Sequence, residues 1–251
     1  MKNAVFRPLP TPTILTLVML PILLGLGTWQ VQRLHWKTDL IARMEARMAE
    51  TPRPLPPRAD WASLDLDRLE YRPFTVTGHF LNEREMRYFT QDRDTSQPGF
   101  ALITPLRLDG PGESAGAYVL VDRGFVPQAL ADPATRPGSE PEGEVTLTGY
   151  LRRSERRGAF SAADDPERNI WMVRDVARMA EAAQVSPVAP FLIEADGKVP
   201  EGTWPKPGRT RIDLPNNHLD YALTWYGLAV VLLGIYIAFH IARGRVGRPK
   251  G

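Results

Sequence analysis

One histidine lies where its imidazole could do chemistry. His218 belongs to the segment Asn216-Asn-His-Leu-Asp-Tyr221, which directly precedes a long apolar stretch. In a helix that begins at the next residue, Tyr221 and Trp225 share a face with this histidine. Such an imidazole, above aromatic side chains at lipid level, could ligate a haem iron while the macrocycle lies against apolar groups. The alternative is a polar residue that anchors or caps a helix at the membrane interface, and the pattern by itself favours that alternative.

The rest of the sequence offers little for catalysis. It contains no cysteine, which excludes disulfides, thiol redox chemistry and thiolate metal sites. No phosphate-binding loop, dinucleotide fingerprint, H-E-x-x-H or EF-hand pattern is present. The four histidines lack the spacing of a two-histidine metal motif: they are His35, His79, His218 and His240. The sequence therefore predicts a protein that is not an enzyme.

Two further features have ordinary interpretations. Gly112-Glu-Ser-Ala-Gly116 fits the G-x-S-x-G pattern of hydrolases, but the next residues predict a strand, whereas a nucleophile elbow leads into a helix. We therefore interpret it as a loop of small residues. Four arginines could bind carboxylates of a ligand or partner, although salt bridges or solvation are the expected role of such side chains. They are Arg72, Arg123, Arg152 and Arg153.

Two apolar runs are long enough to cross a membrane. Residues 8–32 and 221–242 carry no formal charge, and about 20 apolar residues span the hydrocarbon core of a bilayer. The first run is longer than the apolar region of a signal peptide and lacks an A-x-A site, so we expect it to be retained. The predicted organisation is a tail at 1–12, a membrane helix at 13–32, a juxtamembrane helix with a proline-rich linker at 33–57, a β-rich domain at 58–218, a membrane helix at 219–242 and a basic tail at 243–251.

Charge predicts the orientation of these segments. The tails carry six basic residues and no acidic residue, whereas all 29 acidic residues lie between the two runs. Because basic flanks stay on the cytoplasmic side, we expect both termini in the cytoplasm of a bacterium and the β-rich domain in the periplasm. The total charge of +2 is a sum of opposites and does not indicate a nucleic-acid partner. We also expect the two membrane helices to pack together, with Gly25 and Gly27 allowing close approach.

The middle of the chain predicts an α+β domain. Short β-branched and aromatic runs separated by Pro, Gly and Asp indicate a mainly antiparallel sheet or partial barrel. The predicted strands are Tyr71–Phe80, Met86–Thr90, Phe100–Leu108, Ala117–Val126, Val145–Arg152 and Phe191–Glu194. One helix of about three turns is predicted from Trp171, Asp175 and Met179, which are spaced four apart, and it should pack on the sheet.

Five segments, in order along the chain, resemble the surfeit locus family of cytochrome c oxidase assembly proteins. The last is the most specific, and the third departs slightly, with Asp122 and Phe125 where the family has Asn and Trp. The segments are Gly27-Thr-Trp-Gln-Val-Gln-Arg33 with Trp36-Lys37, Tyr71-Arg-Pro-Phe-Thr-Val-Thr-Gly-His-Phe80, Val119-Leu-Val-Asp-Arg-Gly-Phe-Val-Pro127, Gly149-Tyr-Leu-Arg152 with Glu155, and Asn216-Asn-His-Leu-Asp-Tyr-Ala-Leu-Thr-Trp-Tyr-Gly-Leu-Ala229.

This resemblance implies a role in maturing haem-copper oxidases. Bacterial members look like haem a binders that help to hand the cofactor to the large oxidase subunit, near haem a synthase, in the inner membrane. The position matching His218 is the family's proposed haem ligand, which shifts our interpretation of His218 towards ligation, with Tyr221 and Trp225 as apolar contacts. A second possibility stays open, in which the protein binds no cofactor and its β-rich domain docks as a scaffold on the nascent subunit.

Overall fold

A computed structural model describes residues 7–109, 114–159, 161–208 and 216–245. The chain divides into two compact units. One unit is helical and comprises Met1–Arg43 and Asp213–Gly251; the other comprises Met44–Ile212 and contains the sheet. Of the predicted basic tails, Lys2, Arg248 and Lys250 lie outside the described residues.

Two long helices form the helical unit. Helix α1 runs without a break from Pro10–Met48, and the last helix, α4, runs from His218–Ala242. Pro21 lies within α1, which membrane helices tolerate. Both helices are long and apolar enough to cross a membrane. Most of the large apolar side chains that the described part of the chain leaves exposed lie on these two helices, where lipid would cover them.

The other unit is built on one eight-stranded sheet. Its strands follow the order β1-β2-β6-β8-β5-β4-β3-β7. Six of the eight correspond to the strands predicted from the sequence, and the two-residue strands β1 and β7 were not predicted. The strands are β1 (Arg53–Pro54), β2 (Pro73–Phe80), β3 (Met86–Gln91), β4 (Pro98–Leu108), β5 (Tyr118–Pro127), β6 (Glu144–Arg153), β7 (Ile170–Trp171) and β8 (Val188–Ala195).

Five of these strands close on themselves. The first part of β4 pairs with β3, and its last residues pair with β2, which completes the ring β2-β6-β8-β5-β4. Gly78 lies at the closing contact, where a Cβ would clash with the carbonyl oxygen of Arg107. Most pairings are antiparallel, but β8 runs parallel to β5. The predicted mainly antiparallel sheet or partial barrel, flanked by two apolar helices, is confirmed.

Both faces of the central strands are buried. One core contains alternate residues of all five ring strands, and Trp61 packs edge-on against Phe191 at its margin. The residues between them on β5 and β8, such as Leu120 and Leu192, face a second core. Because β4 and β5 are covered on both faces, their sequences are continuous apolar runs without strict alternation.

The packed helix is shorter than predicted. Helix α3 covers Val176–Ala182, and Asp175 caps it by accepting a hydrogen bond from the backbone N–H of Arg178 at 3.2 Å. The prediction that Trp171 is helical is wrong. Trp171 lies in β7, which pairs with β3 in parallel. Its indole is buried beside Met179 in the second core. A short helix, α2 (Leu66–Leu69), and several single turns complete this unit.

Candidate functional site

A narrow seam joins α1 and α4. The buried residues of α1 are Thr16, Leu23, Gly27 and Gln30, and those of α4 are Ala222, Ala229 and His240. The spacings are seven, four and three in α1 and seven and eleven in α4, and they place each set on a single helical face. The predicted packing of the two helices is confirmed.

Gly27 allows the closest approach. A Cβ built on Gly27 would lie 2.7 Å from the ring of Tyr226, whose hydroxyl is hydrogen-bonded to the Thr28 hydroxyl at 3.1 Å. Gly25 was also predicted to allow close approach. This prediction is wrong, because a Cβ on Gly25 would meet nothing within 4 Å. It lies outside the seam. Nearer the start of α1, the hydroxyls of Thr13 and Tyr236 are hydrogen-bonded at 2.9 Å.

His218 is the first residue of α4 and is half-buried. Its Nδ1 lies 2.7 Å from Oε1 of Gln30, which is only 8% exposed and comes from α1. A carbonyl oxygen can only accept, so Nδ1–H donates and Nε2 keeps its lone pair. No hydrogen bond to Nε2 occurs among the described residues. The ring is thus held by one nitrogen and presents the other.

The two aromatic residues predicted beside His218 take different positions. Trp225 is half-buried, seven residues after His218, on the side of α4 that also carries the buried Ala222. Tyr221, three residues after His218, is 56% exposed and is the less covered of the two. Three residues correspond to 300° of helical rotation, so Tyr221 lies about 60° from His218 and about 100° from the buried Ala222 around the helix. Within the described chain, no ring contact joins His218 to either aromatic side chain.

His240, near the other end of α4, provides an internal contrast. Its side chain is 0% exposed, and both ring nitrogens are occupied within the helical unit. Nδ1–H donates to the carbonyl oxygen of Tyr236 at 2.8 Å, and Nε2 accepts from the backbone N–H of Leu9 at 3.1 Å. This imidazole therefore serves packing and has no nitrogen left for a ligand.

The His218 end meets the simplest requirements of an axial haem ligand. An imidazole whose Nδ1–H is held by a carbonyl oxygen and whose Nε2 is open matches the usual donor set of a histidine that binds a metal. Nearby, Oδ1 of Asn216 is buried and has no hydrogen-bond partner within the described chain. Exposed Leu219 and Tyr221 add apolar surface beside the imidazole. The residues present therefore fit a haem held by one histidine.

The other candidate groups are engaged in the sheet unit. Each of the four arginines makes a salt bridge, as predicted, and none of the four is available as an isolated cation. The pairs are Arg72 with Glu50, Arg123 with Glu85, Arg152 with Glu70 and Glu194, and Arg153 with Asp67 and Glu70. His79 contacts Asp109, and His35 is exposed.

A deeply buried ion cluster joins the residue before β3, strand β5 and the loop that follows β5. Glu85 pairs with Arg123 at 3.3 Å and with Arg136, and Arg136 also donates to the Ser139 hydroxyl at 2.7 Å. All three charged side chains are at most 6% exposed. Burial raises the pKa of the Glu85 carboxyl, and the two guanidiniums offset only part of that effect. The cluster fixes the loop to the sheet.

The hydrolase-like pattern has no catalytic geometry in its described part. Gly112 and Glu113 lie outside the described residues. Ser114 accepts a hydrogen bond from the backbone N–H of Arg58 at 3.1 Å, and the chain continues into β5 and not into a helix. Among the residues that the structure describes, no three His, Asp or Glu side chains converge as a metal site.

Gln30 is the residue of the candidate site that sequence patterns did not single out as a partner of His218. The available signal was an amide side chain inside an otherwise uncharged run, seven residues from Leu23 and three from Gly27. Polar side chains in membrane helices turn towards other helices, so Gln30 is expected at the seam. Its specific partner depends on the register of two helices that are far apart in sequence.

Residues 17–230 match the SURF1 family. The chain is 40% identical to "Surfeit locus protein 1" of Xenopus tropicalis over 229 residues, which cover 84% of this chain and 70% of that protein. Against "Surfeit locus protein 1" of Homo sapiens the identity is 38% over 230 residues, covering 85% and 72%. For the Mus musculus protein of the same name it is 39% over 217 residues, covering 81% and 67%. The predicted family is confirmed: this chain belongs to the SURF1 family.

Proposed function

We propose that this protein is a membrane-anchored assembly factor for cytochrome c oxidase that binds haem a and assists its delivery to the large oxidase subunit. Family membership supports the assembly role. The observation that carries the haem proposal is the hydrogen bond between Nδ1 of His218 and Gln30, which leaves Nε2 open as a ligand. On this proposal the protein is a chaperone for a cofactor and not an enzyme, and haem a synthase is a second partner.

Each residue at this end of the seam has a distinct role in the proposal. When bound, haem a supplies the iron that an imidazole nitrogen can ligate. His218 would give the directional bond through Nε2. Tyr221, which is exposed three residues after His218, would add apolar contact together with the surrounding lipid. Trp225 would contribute less, since it is already partly covered in the helical unit.

A cofactor-free scaffold is the alternative, and a groove in the sheet unit favours a protein partner. The groove has a volume of about 1160 Å³ and carries acidic and basic side chains together. Its charged lining includes Asp65, Asp67, Glu70, Arg153, Glu155 and Arg156. Mixed charges of this kind suit a polar protein surface better than an apolar macrocycle. Docking of the nascent large subunit here is compatible with haem binding elsewhere or could occur without it.

An absorption spectrum separates these proposals. The protein would be produced in a bacterium together with the haem a pathway and purified in detergent. We expect wild type to carry haem a, and His218→Ala to insert in the membrane but lose most of it. His35→Ala is the matched control, because His35 is an exposed histidine on α1, and it should retain the haem. Trp225→Phe should also retain it, with a smaller loss of affinity.

The possible results decide between the two functions. If His218→Ala carries as much haem as wild type with the same spectrum, this histidine is not the ligand. If wild type carries none while the pathway is active, the scaffold alternative is correct. Partial recovery of the His218→Ala spectrum by added imidazole would show that the His218 side chain had supplied the ligand.

The proposed location is a bacterial inner membrane, with both termini in the cytoplasm and the sheet unit in the periplasm. The basic residues Arg7, Arg243 and Arg245 beside the two spans support this orientation. Alkaline phosphatase fused after Leu130 should be active, and the same enzyme fused after Arg245 should be inactive. The reverse pattern would contradict the orientation.

A further inference from the structure

We infer that Gln30 is a positioning residue that fixes the His218 imidazole in the Nδ1–H tautomer and so presents Nε2 for ligation. This inference deepens the proposed function and rests on it for the identity of the ligand. It requires no haem for its central claim, since the tautomer is a property of the protein alone. Gln30 would touch neither iron nor macrocycle and would act only through His218.

The geometry of the contact supplies the first argument. Oε1 of Gln30 lies 2.7 Å from Nδ1, a short distance for a hydrogen bond between a ring nitrogen and an amide oxygen. The carbonyl oxygen has no proton to give, so the shared proton belongs to the imidazole. The two ring nitrogens of a neutral histidine then have opposite roles, with Nε2 as the one that carries the lone pair.

The surroundings of Gln30 supply the second argument. Its side chain is 8% exposed and lies on the buried face of α1, one turn after Gly27. Gly27 packs against the ring of Tyr226, and Thr28 is hydrogen-bonded to the hydroxyl of the same ring. The amide is therefore held by close helix packing, and this limits its freedom to leave the imidazole.

The chemical consequence follows from the direction of the hydrogen bond. An acceptor on Nδ1–H increases the basicity of Nε2 and fixes the orientation of the ring, and loss of such a partner lowers metal affinity by about 10- to 100-fold. Because Gln30 and His218 come from different helices, the ring orientation depends on the register of the pair. A residue that merely joined the helices would affect stability but not the proton position.

The closing experiment measures the tautomer directly. Full-length protein without haem would be labelled with ¹⁵N-histidine and held in detergent micelles at alkaline pH. Its NMR spectrum would be compared with those of Gln30→Leu, Gln30→Glu and Thr28→Val. The His218→Ala spectrum assigns the His218 signals. Thr28→Val is the matched control, because it removes an interhelical hydrogen bond beside Gln30 but leaves Gln30 and His218 in place.

We expect wild type, Gln30→Glu and Thr28→Val to hold the proton on Nδ1, and Gln30→Leu to lose this preference. With haem a co-produced, Gln30→Leu should bind about 10- to 100-fold more weakly, and Gln30→Glu should retain haem with a more negative midpoint potential. A proton that stays on Nδ1 in Gln30→Leu, or an equal loss in Thr28→Val, overturns the inference. Absence of haem from wild type with a Gln30-dependent tautomer would overturn only the proposed function.

Discussion

The helical unit and the sheet unit both bury polar side chains, but they satisfy them in different ways. Along the α1–α4 seam the described side-chain partners are hydroxyls of threonine and tyrosine, the Gln30 amide and two imidazoles, with no carboxylate or guanidinium among them. In the sheet unit the buried partners are charged, as in the cluster of Glu85, Arg123 and Arg136. Lipid gives no alternative hydration to a charge, which accounts for the neutral chemistry of the seam.

This difference indicates where a ligand can bind. The ions of the sheet unit are engaged with one another, so recruiting one of them would break a buried pair. The seam uses weaker neutral hydrogen bonds, and one of these leaves a ring nitrogen open at His218. Variants of Glu85, His240, Gly27 and Glu155 test this contrast.

The largest effect is expected from Glu85→Gln. The substitution leaves the guanidiniums of Arg123 and Arg136 buried without their shared carboxylate, which should lower the free energy of unfolding by about 3–5 kcal/mol. Urea unfolding of the full-length protein in detergent, followed by tryptophan fluorescence, measures the change. The neighbouring Glu83 is exposed, so Glu83→Gln should be neutral. A Glu85→Gln variant as stable as this control would show that the buried charges are not coupled.

A smaller loss is expected from His240→Ala. Both hydrogen bonds of a fully buried ring disappear and a cavity remains, so the helix pair should lose about 2 kcal/mol. His218→Ala should cost less than about 1 kcal/mol, because the ring is half-buried and makes one such bond. Titration of detergent-solubilised protein with sodium dodecyl sulfate compares the two. Equal losses would remove the distinction between a packing histidine and a ligating one.

The third prediction uses two glycines of one helix. Gly27→Leu should destabilise the helix pair by about 1 kcal/mol or slightly more, because its side chain meets the Tyr226 ring. Haem content should fall with it, since the displaced helix carries Gln30. Gly25→Leu enters open space and should change stability by less than about 0.5 kcal/mol. Titration with sodium dodecyl sulfate measures the stability of both variants, and the absorption spectrum measures their haem content. Equal losses of stability in Gly27→Leu and Gly25→Leu would contradict the placement of Gly27, and not Gly25, in the seam.

The smallest effect concerns acid pH in the sheet unit. Burial alone would raise the pKa of Glu155, but the charge and hydrogen bonds of Arg174 outweigh it and lower the pKa. Its folded pKa is depressed, so the stabilisation is present above the ordinary glutamate value of about 4.3 and is lost as the pH falls through the folded pKa.

This contribution should be under about 1 kcal/mol, since the carboxylate is partly exposed. Urea midpoints measured from pH 6 to pH 3 should therefore fall less steeply in Glu155→Gln than in wild type. The exposed Glu181→Gln provides the control. A steeper fall in Glu155→Gln would contradict the assigned sign.

Much of the fold was predictable because buried strands and helices have recognisable local patterns of apolar residues. The strands β2 to β6 and β8 are apolar or alternating runs with turn residues at their ends, and the two helices are runs without formal charge. The parallel pairing of β8 with β5 was not predictable, since it joins strands distant in the chain. The helix was wrongly extended back to Trp171. A spacing of four between Trp171 and Asp175 also occurs when Trp171 ends a strand and Asp175 caps the following helix.

The site was predictable in part. His218 is conspicuous as a histidine at the start of an apolar run, and the structure places it there. Neither the exposure of Tyr221 nor the contact of His218 with Gln30 follows from local spacing, because both depend on which face of α4 meets α1. The pairing of two helices depends on the surfaces of both, so it cannot be predicted from the sequence of one helix alone.

The pairing of Gln30 with His218 has a consequence for the order of biosynthesis. The ribosome makes α1 first, and the entire sheet unit must follow before α4 emerges. During that interval Thr16 and Gln30 lack the α4 surface that covers them in the folded protein, although α1 is already complete. The imidazole and the amide that orients it therefore meet only when α4 inserts. On the proposed function, an incomplete chain does not contain the haem site, so loading follows translation.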